Sequence, residues 1–236
     1  MKVTSTEIKN SFGKYLRLCA SEDVEITKNG LTVAKLVSLE NNYDRVCEAE
    51  AAYNADRLKM SFEAFEKMNK TADKRYEYID GEVYLMTSPS IRHQWVVSKL
   101  HVALDKFLRG KPCDAFVSPF DVTLKAENNW NVVQPDILVL CNWRQDADEN
   151  DRYRGIPKLV VEVLSPSTQE KDKTKKLKLY KLSGVEEFWV IDPKEMYVTI
   201  YNFQDQKVHS IKAYSSSEAW KSIIYPEFEY EFDESF

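Results

Sequence analysis

Glycine is scarce in this chain, six residues in 236, and the scarcity removes several kinds of function. No G-x-G-x-x-G or Walker-type loop is present, so a glycine-rich backbone cradle for nucleotide phosphates is excluded. Cysteine is sparser still. Cys19, Cys47, Cys113 and Cys141 show no C-x-x-C spacing, which argues against a zinc ribbon or a disulfide framework and predicts reduced thiols in a cytoplasmic protein. Basic residues are not in excess. Thirty-three Lys+Arg face 38 Asp+Glu for a net charge of -5, so bulk charge does not make the chain a coat for nucleic acid or acidic membrane, although a local basic patch is compatible. No apolar run approaches the roughly 18 residues of a membrane span, and MKVTSTEIKNSFGKYL lacks the apolar stretch of a signal peptide; no membrane partner is expected. Hydrophobic residues are plentiful, 43% with 12% aromatics, enough for one sizeable domain and a smaller one.

Residues 1 to 40 hold a complete small pattern. Thr4 and Glu7 form a capping box, and Ile8, Phe12, Leu16 and Cys19 follow at helical spacing, predicting a helix of about four turns. VEITKNGLTVAKLV then places two β-prone runs around Asn29-Gly30, a strong hairpin signal. The unit reads β-α-β-β. It is too small to bury much alone, so Ile8, Phe12 and Leu16 are expected to pack against a second copy or against residues 41 to 58, a charged, Ala-rich stretch read as a connecting helix. From residue 59 to 236 the pattern changes: a short amphipathic helix, a hairpin at Asp80-Gly81, a long helix ending at Gly110, then several β-rich stretches interrupted by one charged helix at about 169 to 183. This predicts an α+β, mixed α/β domain with a central sheet flanked by helices.

Within it, PKLVVEVLSPSTQEKDKTKKLKLY raises a question, because Glu162 sits in the middle of an apolar strand. An ionised carboxylate there needs a cation, a metal or hydrogen bonds. Asp136 follows Pro135 at the entrance of another apolar strand, ILVL, and two acids on adjacent strands can share a hard divalent cation with waters and a phosphate. For a lone acid the commoner arrangement is capping by a lysine or by backbone N–H groups; the pair favours the metal. Asp172, Lys176 and Tyr180 fall at i, i+4 and i+8, on one side of a helix that can face the acids. Lys176 there would stabilise charge developing on a phosphate, while the other five lysines of the segment read as a solvated face. Glu77 and His93 are candidates to complete a metal shell or act as general base, ahead of His101. For the hairpin acids Glu77 and Glu82 plain solvation is the commoner outcome, and Asp121 reads as structural.

Pro135-Asp136, EVLSPST from 162, Asp172, Lys176, Tyr180 and GVEEFWVIDP from 184 together resemble the Uma-two family of the PD-(D/E)XK, restriction-endonuclease-like superfamily. With YEYIDGEVYLM and His93 the likeness spans about residues 57 to 236. It implies a mixed four-stranded core sheet and an endonuclease hydrolysing DNA phosphodiesters with Mg²⁺ or Mn²⁺ held by Asp136 and Glu162. Asp136, Glu162, Lys176, Glu77 and His93 are then the candidate catalytic residues. One departure is plain: Leu164 stands where the superfamily's strand lysine belongs, and the family's pattern puts Lys176 in its place.

Residues 1 to 40 resemble the N-terminal domain of Phd/YefM-type antitoxins, which implies a homodimer on operator DNA. Lys2, Lys9, Lys14 and Arg17 are then the candidate DNA contacts. That resemblance also raises a toxin partner, which no residue specifies. Two functions follow: a metal-dependent endonuclease carried on a DNA-contacting module, or an inactive nuclease-like fold acting as a regulator or DNA-binding protein.

Overall fold

The computed structural model describes residues 1–10, 12, 14–15, 24–36, 58–149, 152–165, 171–215 and 218–232. They belong to two compact units, Met1–Arg57 and Leu58–Phe236.

The first unit is β1 (Lys2–Thr4), α1 (Ser5–Asn10), β2 (Val24–Lys28) and β3 (Leu31–Leu36), the β-α-β-β order expected. The capping box is formed: Glu7 Oε2 accepts from Thr4 N at 2.8 Å, and Thr4 Oγ1 accepts from Glu7 N at 3.2 Å. The strands lie in the order β1-β2-β3, parallel then antiparallel, and Asn29 (φ 53°) and Gly30 (φ 80°) make the hairpin turn that demands positive φ twice. Val3, Ile8, Tyr15 and Val24 form its small core. Phe12, expected beside Ile8, is 51% exposed. Leu16, Arg17 and all but the last residue of the connecting helix expected over residues 41 to 58 lie outside the described residues; Leu58 is described and is not helical.

The larger unit contains α2 (Phe62–Asn69), β4 (Tyr76–Ile79), β5 (Glu82–Leu85), α3 (Ile91–Leu108), β6 (Cys113–Val117), β7 (Val122–Ala126), β8 (Asn129–Val133), β9 (Ile137–Cys141) and β10 (Leu159–Val163). After these come a π-helical turn (Asp172–Lys176) running directly into α4 (Leu177–Ser183), then β11 (Glu187–Asp192), β12 (Tyr197–Gln204) and β13 (Lys207–Tyr214). The main sheet is mixed and has six strands, in the order β13-β12-β11-β10-β9-β6, where the resemblance implied four. Only β10 and β11 run parallel, and the π turn with α4 supplies the crossover that such a pair requires. A smaller antiparallel sheet, β5-β4-β8-β7, stands beside it.

Both faces of the six-stranded sheet are covered at its centre, which is why β9, β10 and β11 are mostly apolar on both sides, with Glu162 and Glu187 as buried exceptions. On one face Val96, Val97, Leu100 and Leu104 of α3 pack on Ile137, Val139, Val161 and Val163. On the other, Leu179 and Tyr180 of α4 and Val122 and Leu124 of the smaller sheet meet Leu138, Leu140, Val160 and Phe188. The chain's end closes over the first face. Trp220 and Phe228 pack on Trp189, and Glu187 accepts from Trp189 Nε1, Ser222 Oγ and the main-chain N–H groups of Ile223 and Ile224 at 2.5–2.9 Å.

The expectation of reduced thiols is corrected for one pair. Cys113 and Cys141 stand directly opposite in the β6–β9 register and are joined as a disulfide. Twenty-eight residues separate them in sequence, and only the strand pairing brings them together. Cysteine usage therefore no longer argues for a reducing compartment. Among the described residues no helix is long and apolar enough to cross a membrane.

Candidate active site

The β9–β10 pairing builds the site. Val161 lies opposite Ile137, so one step further Glu162 meets Asp136 on the face that Leu138 and Val160 share. Asp136 closes the end of the pair: its Oδ2 accepts from Val163 N at 2.7 Å. The first turn of α3 arrives at the same point, its N-cap Ser90 accepting from His93 N at 3.2 Å, and His93 Nε2 lies 3.3 Å from Asp136 Oδ2. Burial alone would lower the His93 imidazole, but the hydrogen bond and charge of Asp136 outweigh it and hold the imidazole above its usual range.

Glu162, 3% exposed, has a companion, and it is a lysine. Its Oε1 accepts from Lys176 Nζ at 2.7 Å and from Tyr180 OH at 2.6 Å. Lys176 also reaches Glu77 Oε1 at 2.8 Å and lies 3.5 Å from Asp172. Asp172 and Lys176, four apart in the π-helical turn, are both buried on one side of it, and Tyr180 follows a turn later in α4. Burial pushes the Lys176 ammonium down, yet Glu162 and Glu77 more than compensate, and it stays well above the usual lysine range.

Glu77 and Glu82 are buried, where solvation was expected. Glu77 accepts from Gln134 N at 2.9 Å, from Lys176 and, in a short contact, from Lys171. Burial pushes it up, but the two lysine charges outweigh burial and hold it at about 2. Glu82 takes Lys175 Nζ at 2.7 Å and Tyr84 OH at 2.6 Å. Lys171 and Lys175 are therefore not part of a solvated face, whereas Lys173 is exposed. Of the two glutamates that share Lys176, Glu77 is the one held ionised. Glu162 is pushed well above its ordinary value, first by burial, with the charges of Asp172, Asp136 and Glu77 adding to it and that of Lys176 opposing.

Asp136, Glu162, Lys176, Glu77 and His93 thus converge on one cavity of about 930 Å³. His101 lines it further along, its Nε2 3.2 Å from the Ala115 carbonyl oxygen. Leu164 is buried among Leu179 and Tyr180, so the strand position of the superfamily lysine belongs to the core. Gln134 was not singled out from the sequence. It lines the same cavity, and its Nε2 donates to Asp121 Oδ1 at 2.6 Å. Its one signal is its place immediately before Pro135-Asp136.

Asp136 Oδ1 and Glu162 Oε2 accept no hydrogen bond from the described residues, and this pair of free carboxylate oxygens suits a hard cation that keeps several waters. Among the described residues no group of three or more His, Cys, Asp or Glu is placed to hold a metal.

The family model described as "Putative restriction endonuclease", Uma2, matches residues 62–232. An uncharacterized protein of Synechocystis sp. is 27% identical over 161 residues, 68% of this chain and 83% of that protein. A second from the same organism is 26% identical over 122 residues, 51% and 68% of the two chains. The crystal structure of "a putative nuclease belonging to DUF820" from Anabaena variabilis matches with a TM-score of 0.58 at 21% identity, covering 71% of this chain and 91% of that one, a likeness of fold. The cavity, the acids at the ends of β9 and β10 and the family match over residues 62–232 concur: the chain belongs to the Uma2 family, with its nuclease-like fold.

Proposed function

We propose that this protein binds DNA in the cleft at Asp136 and Glu162, and that in the conformation described it holds the strand without cutting it. The observation that carries this reading is the lysine lock: Glu162 Oε1 is engaged by both Lys176 and Tyr180, and its charge is further suppressed by burial. A carboxylate so held is a weak metal ligand, because ligation requires its ionised form. The rim of the cleft still offers donors to a phosphodiester, from the serines and threonine of residues 87–90.

A second reading, Mg²⁺- or Mn²⁺-dependent endonuclease, is favoured by one observation, the opposed placement of Asp136 and Glu162 with a free oxygen each. These two residues would hold the ion, which when bound supplies Lewis-acid polarisation of the phosphate and a more acidic water. The chain's own contribution is then positional. Lys176, fixed from behind by Glu77, would set its ammonium beside the reacting phosphate, and His93 could hold a proton at Nε2.

The N-terminal unit's role as a dimeric DNA contact rests on its antitoxin-like pattern and is supported by exposed Lys2, Lys9 and Lys14; Arg17 lies outside the described residues. Exposed Phe12, Leu31 and Val33 support a second copy as partner. A toxin partner has no residue to argue from.

The test is a cleavage and binding assay of the full chain on single-stranded and duplex DNA, with Mg²⁺, Mn²⁺ or EDTA. Binding with intact DNA under all conditions supports the first reading. Metal-dependent cleavage lost in Asp136→Asn and Glu162→Gln establishes the second. Neither binding nor cleavage removes both.

A further inference from the structure

A second cavity of about 500 Å³ adjoins the one at the acids, and the two share Arg75, Pro119 and Gln134 in their walls. Its remaining wall includes Glu66 and Lys70 from the end of α2, Phe120 and Asp121 ahead of β7, and Arg152 to Arg154.

Three observations there point to a ligand. Gln134 is 6% exposed; its Nε2 is taken by Asp121, while its Oε1 is buried and accepts nothing from the described residues. A buried carbonyl oxygen without a donor is costly until something supplies one. Arg75, Arg152 and Lys70 are exposed and form no ion pair among the described residues, whereas Arg154 is committed to Asp148 at 2.9 Å and Asp121 to Gln134. Asp121 and Glu66 are the carboxylates of the wall, and against Lys70, Arg75 and Arg152 they leave its net charge positive. Finally, Phe120 is half-buried, backed by Phe116 at 5.4 Å and Tyr153 at 6.4 Å between ring centroids, which fixes an aromatic ring in the cavity wall.

Cations, a fixed ring and an unsatisfied acceptor match the three parts of a nucleotide: phosphate, base face and base N–H. We propose that the second cavity binds the nucleotide adjacent to the one whose phosphodiester lies at Asp136 and Glu162, with its base unpaired. The inference rests on the reading that the first cavity takes a DNA strand. Arg75, at the junction, contacts the phosphate between the two nucleotides, and Arg152 the next one out. The base lies on Phe120 and donates to Gln134 Oε1. Every base carries an N–H on its pairing edge, so this contact orients the base rather than selecting it. A paired base would bring its partner strand, which a cavity of this size does not admit, so the subsite takes single-stranded DNA.

The experiment uses the full chain with EDTA and a fluorescein-labelled single-stranded oligothymidylate, or a duplex of equal length, followed by anisotropy over a range of salt. On the single strand, Arg75→Ala with Arg152→Ala lowers the slope of log affinity against log salt by about 1.4, about 0.7 for each phosphate no longer neutralised. Gln134→Leu weakens binding about tenfold and leaves the slope alone, as removal of an uncharged hydrogen bond to the base should. On the duplex these variants change nothing. Asp136→Asn reports on the first cavity by itself: removing a negative charge from the phosphate's path tightens binding. If Asp136→Asn tightens binding while the arginine variants leave affinity and slope unchanged, the subsite is wrong and the reading of the first cavity stands. If neither change has an effect, both fall. Free thymidine monophosphate competing as well as the oligomer overturns the placement on a strand. The two arginines are exposed, so their replacement tests the site even if Gln134→Leu fails to fold.

Discussion

Lys176 Nζ lies between Glu162 and Glu77, at 2.7 and 2.8 Å, and joins the π turn to two β-strands from separate sheets. All three residues are at most 3% exposed. Removing the ammonium leaves two buried carboxylates, so Lys176→Met is expected to destabilise the domain by about 3–5 kcal/mol, whereas combining it with Glu77→Gln and Glu162→Gln recovers most of that loss. Urea unfolding of the single and triple variants checks this. A single variant with an unchanged midpoint contradicts the lock.

His93 sets a pH dependence. Its folded pKa is raised above 6.5, so its contribution to stability is complete below that value and is lost as pH rises through the raised one. Unfolding free energy should fall across that window in the unaltered chain, and His93→Gln should flatten it. Glu77 acts with the opposite sign. Held at about 2, it contributes fully above 4.5 and loses that contribution as acid brings the pH down through about 2.

Glu187 offers its two oxygens to four donors, so the amide of Glu187→Gln would turn its own NH₂ group onto donors. A cost of about 1–3 kcal/mol is expected, with earlier proteolytic cleavage within residues 218–232 than in the unaltered chain. Limited proteolysis followed by mass spectrometry reads both the site and the rate.

The N-terminal unit has its own test in the full chain. Lys9→Glu with Lys14→Glu should weaken binding to duplex DNA and flatten its salt dependence, with no change in any metal-dependent cleavage. Light scattering should give the mass of a dimer, and Phe12→Asp should lower it to that of a single chain. A monomer with unaltered DNA affinity in the lysine variant would leave this unit a structural extension.

Much of this was legible before the fold was seen, for a physical reason. In strands apolar on both faces, such as LVVEV, a carboxylate is conspicuous, and Asn29-Gly30 and Asp80-Gly81 announce turns that need two positive φ angles. The partners of the site were harder to see. Lys171 meets Glu77 across 94 residues and Lys175 meets Glu82 across 93, and a lysine bound for a buried acid looks in sequence like one bound for water. Cys113 and Cys141 are joined by a register that nothing local encodes. Gln134 was silent because a polar residue ahead of a proline reads as a strand end.

Leu164 has a consequence for where charge can sit. With the ammonium supplied from the π turn, position 164 belongs to the apolar layer that includes Leu179 and Tyr180. A lysine placed there would bury a second cation in that apolar layer. A chain without Lys176 would leave Glu162 with no cation, while Glu77 would keep Lys171. Position 176 and not position 164 is therefore where this core accommodates a cation for Glu162.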